Sequence, residues 1–415
     1  PAGYSNFGAF DELYDRNEAV LRQILEASAA DRTAKPGSNR ARLADYYSSC
    51  MDSAGAEAAA GTPIAGPLAD VAALRSTRDI AGQIAWMHAH GIPALFGFFA
   101  AQDPKNSEAV IAFVGQGGLG LPDRDYYTRT DSAAAATRAI YVRTNVHLLQ
   151  LAGESAALAQ QHADAVMALE TALAQASMTN VQRRDPQATY HKMPWDSLRA
   201  LSPAFAWDAY SARRHAGQPA DVNVTQPEFV RAVNGLLAGT PLDTWQAYLS
   251  VRILRDAAPT LSSAYVKEWF ALRTALTGTP DMLPRWKRCI AETDGELGEI
   301  LGQEYVKRTF TPTDKARMLE MVKNLEAGLG DRIHAAGWMG DSTRTAAATK
   351  LAAFADKIGY PNQWKDYSSV VVRPGQHYAN RQATRAFESA RNVAKIGKPV
   401  DRNEWVMTPP TVNAY

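Results

Sequence analysis

Apolar residues along most of the chain recur at intervals of three and four, the spacing of one face of an α-helix. Near the N-terminus this pattern predicts an amphipathic helix over residues ~10 to 27, and Asn17 interrupts its apolar stripe. The stripe consists of Phe10, Leu13, Tyr14, Val20, Leu21, Ile24 and Leu25. Because similar periodicity continues nearly throughout, the chain is predicted to be mainly α.

Two later helices have clear start and stop signals. Thr311 followed by Pro312 is typical of an N-cap with proline at the first helical position. Another helix is predicted to begin at residues 341–342, run through Asp356 and end at Gly359. The apolar face of the helix that follows Pro312 consists of Met318, Val322, Leu325, Leu329 and Ile333.

Strand signals are few. Runs of β-branched and aromatic residues predict strands at Ala109–Val114, Ser368–Val372 and Thr411–Tyr415. Helical periodicity lapses between Ser368 and Asn380, and the Pro374-Gly375 pair indicates a turn. We therefore expect a domain boundary near residue 375.

Composition narrows the class of protein. With 46% hydrophobic and 21% charged residues over 415 positions, the chain is globular and longer than one core usually holds, so we expect two domains or parts of two. Forty-four basic and 43 acidic side chains leave a net charge of +1, which offers no field for binding nucleic acid. No apolar run approaches the ~20 residues that span a bilayer. Peptides or small molecules are the expected partners, and no membrane-spanning segment is predicted.

Residues Gly115–Gly120 fit the dinucleotide-binding pattern G-x-G-x-x-G and follow a predicted strand. No second strand ending in an acidic residue follows about 20 residues later, as that fold requires. Pro122–Asp125 suits a turn better than the start of a phosphate-binding helix. The glycines are therefore expected to serve backbone geometry.

Other polar residues do not form a recognisable catalytic site. His88 and His90 diverge if their segment is helical, and no third metal ligand is near them in sequence. No nucleophile motif of a hydrolase is present. An acidic stretch without calcium-loop spacing is interpreted as a solvated helix face. It consists of Glu292, Asp294, Glu296 and Glu299.

The C-terminal residues resemble a known site. Val412-Asn413-Ala414-Tyr415, with the Pro409-Pro410 pair before it, resembles the substrate-binding edge strand of the neprilysin and endothelin-converting-enzyme family of zinc metallopeptidases. The resemblance extends from about Ala9 to Tyr415, with further motifs in the family's order. These are residues 116–127, Arg183-Arg184-Asp185-Pro186, Trp286-Lys287-Arg288-Cys289, Tyr305-Val306, Trp338-Met339 and Lys357-Ile358-Gly359-Tyr360-Pro361.

The resemblance implies a helical capping domain plus the first elements, an N-terminal helix and an edge strand, of a thermolysin-like catalytic domain. Residues 1–45 are then an N-terminal helical segment near the domain junction, and 46–375 are the capping domain. Residues 376–415 are a return linker, a helix and the substrate-binding edge strand. Since the chain begins at Pro1 without a leader, any signal or anchor is expected upstream.

The implied activity is that of a zinc metalloendopeptidase which encloses peptides between the cap and the catalytic domain. The family's zinc-binding helix, His-Glu-x-x-His, lies C-terminal to the edge strand, and this chain contains no His-Glu pair. We therefore expect no catalytic residue or metal ligand here, an inactive fragment, and one catalytic zinc bound by a C-terminal portion. The alternative is a stand-alone helical module that binds peptides without cleaving them.

The resemblance also assigns substrate-binding roles to residues of this chain. The Asn413 side chain and the Ala414 backbone are expected to hold the substrate backbone, whose extended form adds to an exposed strand edge. Without the family context, Asn413 is more simply a turn residue after the proline pair. Phe10 is expected beside the primed-side pocket, or else is only a stripe residue of the first helix. Asn6 lies where a cation for the substrate carboxylate is expected, which favours endopeptidase over exopeptidase action.

The chain has two cysteines, Cys50 and Cys289, and neither has metal-site spacing. Two free buried thiols are the simplest interpretation of such a pair. Both segments resemble family segments whose cysteines are joined in animal members, which implies a Cys50 to Cys289 disulfide. A disulfide places the protein in the periplasm or outside the cell.

Overall fold

The computed structural model describes residues 7–414, and within them it is mainly helical, as the sequence predicts. Short 3₁₀ turns lie at Thr62–Ile64, Gln182–Arg184 and Ala258–Thr260. The strands are β1 (Phe96–Asp103), β2 (Asn106–Gln116), β3 (Lys192–Pro194) and β4 (Asp221–Val224). The α-helices are α1 (Ala9–Ala30), α2 (Asn39–Met51), α3 (Ser53–Ala59), α4 (Ala65–Ala72), α5 (Ile80–Ala89), α6 (Asp125–Thr128), α7 (Ser132–Leu151), α8 (Ala156–Gln175), α9 (Trp195–Leu201), α10 (Trp207–Arg213), α11 (Pro227–Gly239), α12 (Leu242–Ala257), α13 (Ser263–Thr277), α14 (Arg285–Thr309), α15 (Pro312–Ala335), α16 (Asp341–Ala352) and α17 (His377–Val393).

The predicted starts of α15 and α16 agree with the structure. Thr311 is the N-cap of α15, its side chain accepts from the Asp314 amide, and the Asp314 carboxylate accepts in return from the Thr311 amide. Helix α16 begins at Asp341 as predicted but ends at Ala352, before the predicted end at Gly359. The Ala353 and Phe354 amides bond to carbonyls three residues back, and this tighter last turn ends the helix.

The sheet has the strand order β1-β2-β4-β3. β1 and β2 form an antiparallel hairpin, β2 pairs in parallel with β4, and β3 is antiparallel to β4. The predicted strand at Ala109–Val114 lies inside β2, whereas β1, β3 and β4 were not predicted. The strand predicted at 368–372 is wrong, and residues 411–414 have no regular secondary structure; Tyr415 lies outside the described residues. β-branched residues form a strand only where a neighbouring strand accepts their backbone hydrogen bonds.

The chain divides into two compact units. The first unit contains residues 48–284 and 370–400, and its core packs the sheet against α5, α8 and α12. The second unit contains residues 7–47, 285–369 and 401 onwards. The predicted division at residues 45 and 375 is a sequence inference and stays a prediction.

The second unit buries only part of the apolar faces expected from its sequence. The C-terminal half of the α1 stripe is buried at Leu21, Ile24 and Leu25, whereas Phe10 at the other end is 76% exposed. On α15 the predicted face is also largely exposed, with Leu325 at 65%, and only its last member is buried. Periodicity identifies an apolar face, but whether that face is covered depends on what packs against it.

Two further expectations concern the whole chain. Both Cys50 and Cys289 are disulfide-bonded, so the predicted disulfide is present and the interpretation as free thiols is wrong. Within the described residues, no helix has the length and apolar character needed to cross a bilayer.

Candidate substrate-binding site

A cavity of about 270 Å³ in the second unit brings together residues from the two ends of the chain. Phe10 of α1 and Asn413 both line it, although 403 positions separate them in sequence (413 − 10). Ala414 is exposed and is not among the lining residues. The full lining is Phe10, Asp11, Tyr14, Asn17, Glu18, Leu21, Ile290, Ala291, Asp294, Pro410, Thr411, Val412 and Asn413.

Asn17, the polar interruption in the α1 stripe, ties the C-terminal segment to the helices. Its side-chain amide donates to the Pro410 carbonyl at 3.0 Å, and its carbonyl oxygen accepts from the Tyr305 hydroxyl at 2.9 Å. Both polar ends of the Asn17 side chain are therefore satisfied. The sequence contains a signal for these contacts, since a lone asparagine in an apolar stripe needs hydrogen-bond partners if it is buried.

The segment before Asn413 is a hydrogen-bonded turn. The Thr411 amide donates to the Thr408 carbonyl at 3.0 Å, and the two threonine hydroxyl oxygens lie 2.9 Å apart. The Thr408 hydroxyl donates to Asp294 Oδ2 at 3.0 Å. Since a hydroxyl has one proton to donate, Thr411 is the donor between the two threonines. The turn is thus anchored to α14 at one side-chain contact.

Asp294 is half-buried and part of its carboxyl group is shielded from solvent, so the predicted solvated acidic face is wrong at this residue. Burial raises its pKa from the ordinary 3.8 to about 6, while the hydrogen bond from Thr408 acts in the opposite direction. Its Oδ1 atom is also buried and has no hydrogen-bond partner. Lys287, seven positions earlier on α14, pairs with Asp15 and Glu18.

Two other members of that acidic stretch also have protein partners. Glu292 accepts from the Tyr46 hydroxyl at 3.0 Å, and Glu299 accepts from the Lys365 amide at 2.7 Å. An acidic run without metal-loop spacing is most simply solvated, but α14 packs inside its unit. Its position in the tertiary structure therefore overrides the sequence pattern.

Asp294 predicts a pH dependence of stability. Because the folded-state pKa is above the unfolded value, the fold favours the protonated form. This contribution is complete below pH 3.8 and is lost as the pH rises through about 6. Asp294→Asn removes the ionisation, so at pH 8 we expect it to raise the free energy of unfolding by about 1–3 kcal/mol, and at pH 4 to change it little.

Urea unfolding of the variant and the wild type at pH 4, 6 and 8 measures this difference. Glu304→Gln is the matched control. Glu304 lies on the same helix and pairs with Lys307, which is largely exposed, so the loss of this ion pair is expected to change stability little. If Asp294→Asn raises the free energy of unfolding equally at pH 4 and pH 8, the raised pKa of Asp294 is contradicted.

Asn413 and Ala414 are exposed at the end of the described chain. The Asn413 side-chain carbonyl accepts from the Ala414 amide at 2.8 Å, which is a local turn contact. Both interpretations of Asn413 are therefore still open in this geometry: it is a turn residue, and it lines the cavity with Phe10. The predicted departure at Asn6 lies outside the described residues.

The histidine pair at 88 and 90 does not fit a zinc site. His88 Nδ1 lies 2.7 Å from the Tyr210 hydroxyl, and Nε2 lies 2.8 Å from the Ala94 carbonyl. Burial lowers the pKa of His88 to about 4, so the ring is neutral and both nitrogens have protein partners. His90 Nδ1 bonds to the Trp86 carbonyl of the preceding turn.

The glycine-rich loop after β2 serves close backbone packing. A side chain at Gly118 would lie 2.7 Å from the Leu95 backbone, and the Gly118 φ is +80°. The Gly120 amide donates to the Glu170 carboxylate at 3.1 Å. Because a carboxylate occupies the place of an anionic ligand there, this loop is not a phosphate cradle.

Comparison with known sequences finds similarity over the whole chain. The sequence profile described as peptidase family M13 matches residues 1–361. Endothelin-converting enzyme 1 of Rattus norvegicus is 28% identical over 440 residues, covering 100% of this chain and 56% of that protein. Neprilysin-3 of Drosophila melanogaster is 26% identical over 445 residues, covering 100% of this chain and 56% of that protein. The chain thus spans little more than half the length of these relatives.

A solved structure is also similar. The zinc metalloprotease Zmp1 of Mycobacterium tuberculosis, determined in an open state, superposes with a TM-score of 0.91 and 32% sequence identity. The match covers 100% of this chain and 64% of that one. The helical architecture is therefore shared with a structurally characterised zinc metalloprotease.

Proposed function

The chain belongs to peptidase family M13, and from this premise we propose that it is the N-terminal part of a zinc metalloendopeptidase. The resemblance to the neprilysin and endothelin-converting-enzyme family is thereby confirmed. Its proposed substrates are peptides, enclosed between a helical cap and a thermolysin-like domain. The zinc ion is proposed to be held by a C-terminal portion of the same protein.

The observation that carries the proposal is the cavity shared by Phe10 and Asn413. Its 270 Å³ is slightly below the ~300–1,000 Å³ of pockets for small molecules. This volume suits one substrate side chain rather than a whole peptide. Residues 413 and 414 are exposed, and an extended peptide can add there through main-chain hydrogen bonds. The Ala414 amide then exchanges its bond to the Asn413 side chain for one to the peptide.

The exposed apolar faces of the second unit support the proposal that another portion of the protein packs against them. On α15 this face comprises Met318, Met321, Leu325 and Leu329, each more than a third exposed. Apolar surface of this kind usually marks an interaction site. We propose that the C-terminal portion covers it, which disfavours the alternative of a stand-alone peptide-binding module.

This chain's own contribution to the reaction is to bind and orient the substrate. Asn413 is proposed to hold the substrate backbone through its side-chain amide, and the cavity to receive the adjoining substrate side chain. Zinc in this class of enzyme supplies a Lewis acid and an activated water. Because the described histidine pair does not fit zinc, no step at the metal is assigned to residues of this chain.

In the full-length protein, Asn413→Ala is expected to lower kcat/KM for an internally quenched fluorescent nonapeptide by about 10–100-fold, equivalent to about 1.4–2.7 kcal/mol. The loss follows from the removal of hydrogen bonds to the substrate backbone. Progress curves over a range of peptide concentrations measure it. Asn403→Ala, an exposed asparagine ten positions earlier, is the matched control and is expected to leave kcat/KM unchanged.

Two results would contradict the proposal. If the full-length wild type cleaves no peptide in the presence of zinc, the peptidase assignment fails. If it cleaves peptides but Asn413→Ala and Asn403→Ala behave alike, the substrate-binding role of Asn413 fails.

We further propose a periplasmic or extracellular location, supported by the disulfide-bonded state of both cysteines. Alkylation of thiols in intact cells followed by mass analysis tests this. Cys50 and Cys289 are expected to be protected, and their recovery as free thiols would contradict the location.

A further inference from the structure

The C-terminal turn lies against a face of α14 made by three residues spaced four apart. Asp294, Gly298 and Gly302 share this face because each of them meets Thr408 or Pro409. The helical backbone is interrupted at Leu297 (φ −128°, ψ 29°), so the contacts rather than the spacing define the face. Asp294 accepts a hydrogen bond from Thr408. The two glycines leave room for the segment that contains Thr408 and Pro409.

The fit at the glycines is close. A Cβ atom built on Gly298 would lie 2.3 Å from the Thr408 Cγ2 atom. A Cβ atom on Gly302 would lie 2.6 Å from Pro409 Cδ. Neither position has a positive φ, so glycine is not needed there for backbone conformation. The absence of a side chain is what admits the turn.

Other glycines of α14 and the neighbouring helix do not have this relation. Gly295, also on α14, has nothing within 4 Å of the corresponding position, and neither does Gly328 on α15. Glycine inside a helix costs about 0.5–1 kcal/mol relative to alanine. At Gly298 and Gly302 the packed turn accounts for that cost.

We propose that Asp294, Gly298 and Gly302 form a seat that fixes the position of the Thr408–Pro410 turn and, through it, of Asn413. The three are positioning residues for substrate binding, since they touch the turn and not the substrate. Asn17 holds the same turn from α1 through the Pro410 carbonyl. The proposal rests on the proposed function in so far as Asn413 binds substrate.

The seat is expected to affect the affinity for substrate, measured by KM, more than the rate of the chemical step, measured by kcat. Asn413 lies three residues beyond Pro410, and a displaced turn moves the substrate-binding backbone relative to the cavity. A change that weakens binding of substrate and transition state alike raises KM and leaves kcat nearly unchanged. This separates a positioning defect from a loss of catalytic groups.

The test is a compensating pair of variants in the full-length protein. Gly298→Ala places a methyl group against the Cγ2 methyl group of Thr408. Thr408→Ser removes Cγ2 and keeps the hydroxyl that bonds to Asp294. For the quenched nonapeptide we expect Gly298→Ala to raise KM about tenfold. We expect Gly298→Ala/Thr408→Ser to restore KM to within about threefold of wild type.

Gly295→Ala is the matched control and is expected to leave KM unchanged, because its methyl group meets open space. Alanine favours helix formation over glycine, so a defect of Gly298→Ala does not arise from a weaker helix. If Gly298→Ala fails to fold, Thr408→Val replaces it, since valine keeps the shape of threonine and removes the bond to Asp294. Thr408→Val is expected to raise KM about threefold or more.

Hydrogen exchange of the peptide covering residues 408–414 gives a readout independent of catalysis. We expect exchange in Gly298→Ala at least about tenfold faster than in wild type, with recovery in the double variant. If Gly298→Ala matches Gly295→Ala in KM and exchange, or if Thr408→Ser restores neither, the seat is wrong. If the wild type cleaves no peptide, the proposed function fails, and the exchange data still decide whether the seat exists.

Discussion

Glu170→Ala is expected to lower the free energy of unfolding by about 3–5 kcal/mol, because Glu170 is a fully buried carboxylate at the centre of a polar cluster. It accepts from the Tyr127 hydroxyl at 2.6 Å and the Tyr141 hydroxyl at 2.9 Å. The Gly120 amide is a third donor, at 3.1 Å. Alanine would remove the acceptor of both buried tyrosine hydroxyls, whereas the Gly120 amide would keep its second acceptor, the Tyr127 hydroxyl oxygen at 3.0 Å.

Cations next to the cluster increase the expected loss. The buried Arg252 donates to the Leu119 carbonyl at 2.8 Å. Burial acts to lower the pKa of Arg252, but Tyr248 and Glu170 outweigh it, and the pKa is raised. Arg255 donates to the Gly120 carbonyl at 3.0 Å and lies over the Tyr141 ring. Without Glu170, Arg252 becomes a buried charge that lacks its nearby anion.

Guanidinium unfolding followed by circular dichroism measures the effect. Asp164→Ala is the matched control, since Asp164 is an exposed acid on the same helix and its loss is expected to change stability by less than about 0.5 kcal/mol. Glu170→Gln is expected to fall between the two, because it keeps one acceptor oxygen and loses the charge. A Glu170→Ala value within about 1 kcal/mol of the control would contradict the role assigned to the cluster.

Gly118→Ala is the second substitution with a large expected effect, a loss of about 3 kcal/mol or more. Gly118 has a φ of +80°, which costs an alanine about 1 kcal/mol. The added methyl group would also lie 2.7 Å from the Leu95 backbone, which cannot rotate away as a side chain can. Tyr248 bonds to both segments of this contact, since its hydroxyl accepts from the Leu95 amide and donates to the Gly118 carbonyl, each at 2.8 Å.

Gly217→Ala separates the two causes. Gly217 has a φ of +64° but nothing within 4 Å of the added methyl group, so it reports the cost of the backbone conformation alone. Thermal unfolding of both variants is expected to place Gly118→Ala well below Gly217→Ala. Equal losses would show that close packing against Leu95 contributes nothing.

The glycine-rich loop illustrates how far sequence reasoning reaches. Its pattern matches a dinucleotide fingerprint, and the absence of the remaining fingerprint residues correctly favoured a structural role for the glycines. The sequence could not identify Glu170 as the residue that bonds to the loop, because 50 positions separate it from Gly120. An isolated glutamate on an amphipathic helix is indistinguishable from a surface residue until the partners are known.

The same limit applies at the candidate site. Phe10 and Asn413 were predicted from family resemblance, and the structure places both at one cavity, although their roles stay predictions. The sequence predicts a solvated face at Asp294, yet the residue is half-buried, its Oδ1 atom is buried, and its Oδ2 atom accepts from the Thr408 hydroxyl. Asn17 was visible as an interruption of a stripe, but the sequence does not indicate which backbone carbonyl it holds.

The mainly helical character, the N-cap at Thr311, a strand within β2 and the family could be recognised from the chain alone, because each depends on residues within a few positions or on ordered motifs. Burial of Glu170 and of the Asp294 Oδ1 atom, the exposed face of α15 and the short strands β3 and β4 required the tertiary structure. Burial and strand pairing depend on groups that are distant in sequence and meet only in the fold. A local pattern specifies which face of an element is apolar, whereas the packing of the rest of the protein decides what that face contacts.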